Sequence, residues 1–250
     1  MSGTPCSQFS DFLEQFDLPL KSRSTAIGTQ FEVQYQNQLF KFQFIDFRQS
    51  FKIHQSDYQN VILIWEDFWM LKTDILKHSI KGLFGQLNRI HGRKTEIKSI
   101  SKEAAHVFFE QHHLYSPLVG KYRLACFFDD EPVALMSFSS GKNWKEKKGK
   151  SYEILRFCNA SPYRVQGGFS KLLNHFKAIH QPVQLMTYSA SIFQPSNLYE
   201  NTGFQWSASR LLQFWLDKSE LKRYVSKPEI ETKNLIEISG LASRKYVWEA

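Results

Sequence analysis

The doubled glycine at Gly167-Gly168 is where residue types and spacing in this chain could do chemistry. It lies between an apolar strand pattern, Tyr152 to Cys158, and a helical pattern that carries Phe169, Leu172, Leu173, Phe176 and Ile179 on one face. Backbone N–H groups at such a helix start point outward, and two missing side chains clear the approach. The turn therefore predicts a seat for an anion such as a diphosphate. Arg164, three residues before Gly167, adds a fixed positive charge. Paired glycines at a strand-to-helix turn also serve close packing, and the sequence leaves both uses open. A second strand pattern, Val183 to Ser189, follows the helix, so the stretch reads as one βαβ unit; a short helical turn then ends at Gly203 before Phe204.

The elements that must position this turn follow from pattern and length. A chain of 250 residues, 42% hydrophobic and with 22 Phe, has ample material for a core and suggests one large or two modest domains. No apolar run approaches a membrane span, and the Met1-Ser-Gly-Thr-Pro start lacks the pattern of a signal peptide. The expectation is a soluble, cytoplasmic protein with no membrane partner. Cys6, Cys126 and Cys158 lack metal-ligand spacing and read as reduced, buried small hydrophobes; no metal is expected. The formal charge of +8 favours acidic partners, nucleic acid and cofactor phosphates alike.

Along the chain, residues 10 to 16 read as a short helix and residues 22 to 30 as loop. Phe31 to Tyr35 and Leu39 to Phe44 form a hairpin, and Val61 to Trp65 a buried strand. Glu66-Asp67 then starts a helix carrying Trp69, Ile75, Leu76 and Ile80. Ser101 reads as an N-cap for a helix over 102–111, and residues 121–128 and 132–138 as a hairpin around Asp129-Asp130-Glu131. Leu211 to Leu216 reads as a strand, residues 219 to 225 as helix, and Tyr246-Val-Trp248 as a docked hydrophobic end. The fold class is α/β (α+β): a mixed, mostly antiparallel sheet flanked by helices over residues 91–250, preceded by a small α/β lobe over residues 1–90.

Two blocks carry a resemblance. Arg164-x-x-Gly167-x-Phe169 resembles the R/Q-x-x-G-x-G/A acyl-CoA loop of the GNAT N-acyltransferase superfamily, with Phe169 where that family has Gly or Ala. Asn197-Leu-Tyr-Glu-Asn-Thr-Gly-Phe204 resembles its closing L-Y-x-x-x-G-F motif. The resemblance implies acetyl-CoA or another acyl-CoA as co-substrate, bound by Phe157, Cys158 and Asn159 of the preceding strand, by Arg164, Gln166, Gly167, Gly168, Phe169 and Ser170 of the turn, and by Asn197. It implies a small-molecule or peptide amine as acceptor. Tyr199 stands where a tyrosine of that family protonates the leaving thiolate, and Glu153, on the acyl-CoA strand, is placed to take the amine proton directly or through water. Both have plain readings too: Tyr199 as a packing ring, and Glu153 as an exposed strand residue. Strand alternation sets Glu153 and Arg156 on opposite faces.

The blocks Glu153 to Asn159, Gly167 to Leu172 and Asn197 to Phe204 are also similar to the GNAT-like C-terminal domain of phage and mobile-element proteins that carry a Vsr-like nuclease lobe. Metal-dependent nuclease chemistry needs paired acids near a lysine. Glu32, Asp46 and Asp57 show no such arrangement, so any such lobe is expected to be degenerate. The loop from Gly141 to Lys150 gathers Lys142, Trp144, Lys145, Lys147, Lys148 and Lys150, a composition that suits single-stranded nucleic acid as well as a solvated hairpin tip. A second reading is therefore a nucleic-acid-binding protein derived from a mobile-element endonuclease, without acyl transfer.

Overall fold

The computed structural model describes residues 3–48, 50–52, 61–144, 148–190, 198–229 and 234–250. The chain divides into two compact units, each assembled from separated stretches: Met1–Thr73, Ser189–Ser196 and Ala208–Arg244 form the first, and Asp74–Tyr188, Asn197–Ser207 and Lys245–Ala250 the second.

In the first unit Thr4 caps helix α1 (Pro5–Glu14), its hydroxyl accepting from the Ser7 N–H at 3.2 Å, while Pro5 sits where no helical N–H is needed. The buried face is Phe9, Phe12 and Leu13, with Phe9 packed among the rings of Phe31, Phe42, Phe44 and Trp69. Strand β1 (Leu20–Thr25) lies where a loop was expected. Its side chains are polar because it is a sheet edge: the backbone pairs with β2 (Gly28–Tyr35) from Leu20↔Val33 to Thr25↔Gly28 while most of the side chains face water. β2 and β3 (Gln38–Ile45) make the expected hairpin, and β4 is the short strand Phe51–Lys52. β5 (Val61–Trp65) is buried at every position, as its unbroken apolar run demands, and pairs parallel to β3 in the order β1-β2-β3-β5. The single helix expected next breaks at Lys72 into α2 (Glu66–Leu71) and α3 (Thr73–Leu83). At the break the Thr73 hydroxyl donates back to the Trp69 carbonyl.

The second unit holds the βαβ element. After α3 come β6 (Asn88–His91), a 3₁₀ turn over Gly92–Lys94, β7 (Glu96–Ser99) and α4 (Lys102–His112), the last capped by Ser101, whose Oγ accepts from the Ala104 N–H at 3.0 Å. β8 (Tyr122–Phe128) and β9 (Glu131–Phe138) form a hairpin whose turn residues Asp129 and Asp130 have φ of 50° and 61°, the left-handed pair a tight hairpin needs. β10 (Lys142–Asn143), β11 (Lys150–Asn159), β12 (Tyr163–Gln166), α5 (Gly168–His180) and β13 (Gln184–Ala190) follow. Strands run β7-β8-β9-β11-β13, antiparallel except for the parallel pair β11/β13 that α5 connects. Leu172, Leu173 and Phe176 of α5 pack with Phe138, Tyr152 and Leu185 on one face, and Ala105, Phe108 and Phe109 of α4 with Ala125 and Leu135 on the other. Ile179 is 58% exposed and not part of that face. The stripe ends instead at His180, whose ring centroid is 4.4 Å from that of Phe176. β12 was not expected as a strand; it pairs parallel with β6 in a ribbon of its own, from Tyr163↔Asn88 to Gln166↔His91.

The tail is strand rather than helix. β14 (Gln205–Asp217) turns back into β15 (Lys222–Tyr224) where a helix was expected over 219–225. The Asp217 carboxylate accepts from the N–H of Ser219 at 2.9 Å and from its hydroxyl, and Leu221 takes φ 53°, which closes the turn before helix can propagate. In the first unit Arg223 of β15 donates to Asp67 through Nε at 2.5 Å and Nη2 at 2.7 Å. The last strand, β16 (Leu235–Glu249), carries the expected docked end. Tyr246 is buried in the α5-side core of the second unit, and the Ala250 N–H donates to the Val183 carbonyl at 3.1 Å. The fold is mixed α/β, with mostly antiparallel strands flanked by helices, as the sequence predicts.

Candidate functional site

The two glycines of the turn differ in their surroundings. Gly167 has φ 75°, and a Cβ placed on it would meet nothing within 4 Å. A Cβ on Gly168 would strike Val165 Cγ1 at 2.9 Å, so this glycine is there for close packing. The first intrahelical bond of α5 runs from the Lys171 N–H to the Gly167 carbonyl at 2.9 Å, which leaves the N–H groups of Gly168, Phe169 and Ser170 directed out of the helix start beside the open glycine. Phe169 does not reach that space with its side chain. It is buried, edge-on to Phe157 at 5.1 Å and to Tyr199 at 5.7 Å, so position 169 offers an anion only main chain.

The approach to the turn is held from below. The Val165 N–H donates to Asn159 Oδ1 at 3.2 Å, and β12 lies along β6 with Arg164 opposite Arg89 and Gln166 opposite His91; all four side chains are exposed. A Cβ on Gly92 would come within 3.0 Å of the Gln166 carbonyl oxygen, so residue 92 lies directly against the turn. Lys171 Nζ donates to the Gly92 carbonyl at 2.8 Å and to the Thr95 carbonyl, tying the first turn of α5 to this segment. Lys171 is missed by motif reasoning. Its one signal is a cation in the first turn of a helix, where the macrodipole disfavours it and some other partner is required.

Strand β11 brings the remaining residues. Its ladder with β13 runs only from Ser151↔Gln184 to Ile154↔Thr187, while on the other side Phe157, Cys158 and Asn159 pair with Met136, Leu135 and Ala134 of β9. Among the described residues the two parallel strands therefore share no ladder past Ile154. Of the three cysteines expected to be buried only Cys126 is; Cys6 and Cys158 are half-buried, and desolvation pushes the Cys158 thiol far above its ordinary range, which disfavours the thiolate.

A register shift between Ile154 and Arg156 on the β9 side inserts Leu155 as an extra residue. The bulge restores to one face two residues that alternation sets on opposite faces: Glu153 and Arg156 both lie on the α4 side, and Arg156 donates to the Ser116 carbonyl at 3.1 Å and the Leu155 carbonyl at 2.8 Å. Glu153 is half-buried at a cavity of about 360 Å³ lined with Ser139, Lys142, Trp144, Ser151 and Met186 among others. Burial pushes its carboxyl above the usual range, against the opposing pull of Arg156, Lys142 and Lys245. Lys142 and Trp144 thus border this cavity, Lys148 and Lys150 are exposed, and Lys145 and Lys147 lie outside the described residues. Asn197 lies outside them too. Tyr199 belongs to the opposite, α5-side core, stacked on Tyr246 at 4.7 Å.

The acids that a nuclease would need in the first unit have structural partners. Glu66 Oε2 accepts the Phe47 N–H at 2.8 Å, Asp67 is bound by Arg223, Asp46 pairs with Arg48 at 3.0 Å, and Glu32 with Lys41 at 3.7 Å; Asp57 lies outside the described residues. Among the described residues no group of three or more His, Cys, Asp or Glu is placed to hold a metal ion, and no helix is long and apolar enough to cross a membrane.

No protein-family model matches the chain, and no curated protein matches it in sequence. Solved structures similar to it include acetyltransferases of the GNAT family. One from Elizabethkingia anophelis with acetyl-CoA bound is 14% identical, over 63% of this chain and 99% of that one, with a TM-score of 0.37. A putative GNAT acetyltransferase from Desulfovibrio desulfuricans is 12% identical, over 62% and 98%, with a TM-score of 0.42. An acetyltransferase from Bacillus subtilis in complex with CoA is 11% identical, over 63% and 99%, with a TM-score of 0.39. Likenesses this distant fix neither activity nor substrate.

Proposed function

We propose that this protein is an acyl-CoA-dependent N-acyltransferase. The observation that carries the reading is the open, left-handed Gly167 with three outward amides behind it, on a helix start joined to the strand that parts from its parallel neighbour. Those amides fit the diphosphate of a coenzyme A ester, with the exposed Arg164 nearby. When bound, the ester supplies an acyl group activated as a thioester. The uncommitted β13-facing edge of β11 beyond Ile154 then offers main-chain N–H groups to the thioester carbonyl.

The two titratable candidates lie on opposite faces of the sheet, Tyr199 against the α5-side core and Glu153 at the α4-side cavity, one for each proton transfer of the proposed reaction. Glu153 takes one proton from the acceptor's ammonium group, freeing the lone pair that forms the C–N bond. As the C–S bond breaks, Tyr199 protonates the departing thiolate and is restored by the second proton shed from the new amide nitrogen, so the acyl group passes to the amine and one net proton is released by way of Glu153. A raised carboxyl on Glu153 is the more effective base near neutral pH.

Calorimetric titration with acetyl-CoA is the test. Binding that Gly167→Val weakens by roughly ten-fold or more, with Tyr199→Phe lowering turnover but sparing affinity, is the expected result. Millimolar acetyl-CoA without heat or stabilisation would end the proposal.

A second reading, nucleic-acid binding without acyl transfer, draws on the β6/β12 ribbon. Arg89, His91 and Arg164 share its exposed face, and Arg93 and Lys94 continue it. Salt-sensitive binding of single-stranded DNA, lost in Arg89→Ala with Arg164→Ala, together with indifference to acetyl-CoA, would favour it.

A further inference from the structure

The cavity on the α4-side face carries information about the acceptor. Two of its polar groups are already committed: Ser139 Oγ accepts the Glu153 N–H at 3.0 Å, and Ser151 Oγ donates to Gln184 Oε1 at 2.9 Å. The rest of the lining offers a ligand the Glu153 carboxyl, the Lys142 ammonium, the polar side chains of Ser140 and Asn143, and the apolar surfaces of Trp144 and Met186. At about 360 Å³ the cavity lies at the small end of ligand sites, suited to a single small metabolite.

Charge narrows the class further. Three cations, Lys142, Arg156 and Lys245, act on the one carboxylate of Glu153, so positive groups outnumber the negative one in this set. A polyamine or a lysine-rich peptide would meet repulsion. An amine with no other charge would satisfy Glu153 and make no use of Lys142, whose exposed ammonium would stay with solvent. We infer that the acceptor is an α-amino acid with an apolar side chain, its amine at Glu153, its carboxylate toward Lys142 and its side chain against Met186 and Trp144. The inference rests on Glu153 being the base of the proposed transferase, and the product would be an N-acyl amino acid released with free coenzyme A.

The experiment is calorimetry on the full chain with L-leucine, 3-methylbutylamine (the same molecule without its carboxylate) and spermidine, each with and without saturating CoA. One charge-assisted contact at Lys142 corresponds to a preference for leucine over the amine of about ten-fold or more, with spermidine weakest. Lys142→Glu should erase that preference or invert it toward the amine, and Lys142→Met should reduce it. Equal binding of leucine and the amine, spermidine binding as tightly as leucine, no binding of any of the three, or a leucine preference indifferent to both Lys142 variants would each overturn the inference. Acetyl-CoA is titrated separately. Leucine selectivity without acetyl-CoA affinity would remove the transferase and leave the amino-acid site, whereas acetyl-CoA affinity without leucine selectivity would do the reverse.

Discussion

Each unit sets a carboxylate near an arginine, and treats the pair differently. In the first, Asp67 is 1% exposed and gripped at both oxygens by Arg223, whose guanidinium lies 3.9 Å from the Phe68 ring centroid and 4.4 Å from that of Phe214. Both carboxylate oxygens are answered by the guanidinium, which is how a buried charge survives in a core. In the second, Arg156 spends its donors on the carbonyls of Ser116 and Leu155, while Glu153 stays half-buried beside a cavity with its carboxyl raised. A satisfied pair supports the fold; an acid kept desolvated and facing open volume is the arrangement associated with chemistry.

Substitutions separate the two roles. Asp67→Asn should destabilise by about 3 kcal/mol or more in chemical denaturation, because the Arg223 charge is left among aromatic rings. Glu153→Gln should unfold at nearly the same denaturant concentration, within about 0.5 kcal/mol. Its turnover should fall by roughly a hundred-fold or more. A large stability loss in Glu153→Gln, or normal turnover, would make the pairs alike.

The glycines give the next contrast. Gly168→Ala should cost about 1–3 kcal/mol by overpacking against Val165, whereas Gly167→Ala, with open space for its Cβ, should cost only about 1 kcal/mol of backbone strain. Equal losses would mean that both glycines serve packing.

The pH profile sets a smaller effect. A base must be ionised, so the acidic limb of kcat/KM should lie above the ordinary glutamate value of about 4.3, and Glu153→Gln should abolish it. Arg156→Gln, which removes a lowering influence, should move that limb to still higher pH. A limb that stays put would detach Glu153 from the rate.

Smallest is a stability effect at His78 and His112, both held below the usual histidine range mainly by burial. With the folded value below the unfolded one, their contribution is complete above about pH 6.5 and is lost as pH falls through the folded value. His112→Gln should flatten the melting-temperature profile between about pH 5 and pH 7.

Local patterns made much of this readable beforehand. Strand β11, helix α5 and strand β13 declared themselves because their apolar residues repeat at the right period and glycines punctuate the turn. What stayed hidden depends on partners distant in sequence. Nothing in Asn88–His91 or Tyr163–Gln166 marks them as neighbours, and the polar run Leu20–Thr25 is a strand only because β2 lies beside it. Lys222–Tyr224 looked helical since the Asp217–Ser219 bonds that turn the chain have no periodic signature. Within the candidate site, Gly167 and Glu153 were visible as types, but the cavity formed by Lys142, Trp144 and Met186, and the anchoring of Lys171, follow from pairing alone.

Leu155, the residue inserted into β11, governs more than its own position. Because it advances the pleat by one step, shortening the strand there would exchange the destinations of every side chain between it and Asn159. Arg156 would be driven into the packed core beneath α5, and Phe157 would be turned away from Phe169. The length of this segment is thus a harder constraint than its composition: single replacements there should be absorbed far more readily than the loss or gain of one residue.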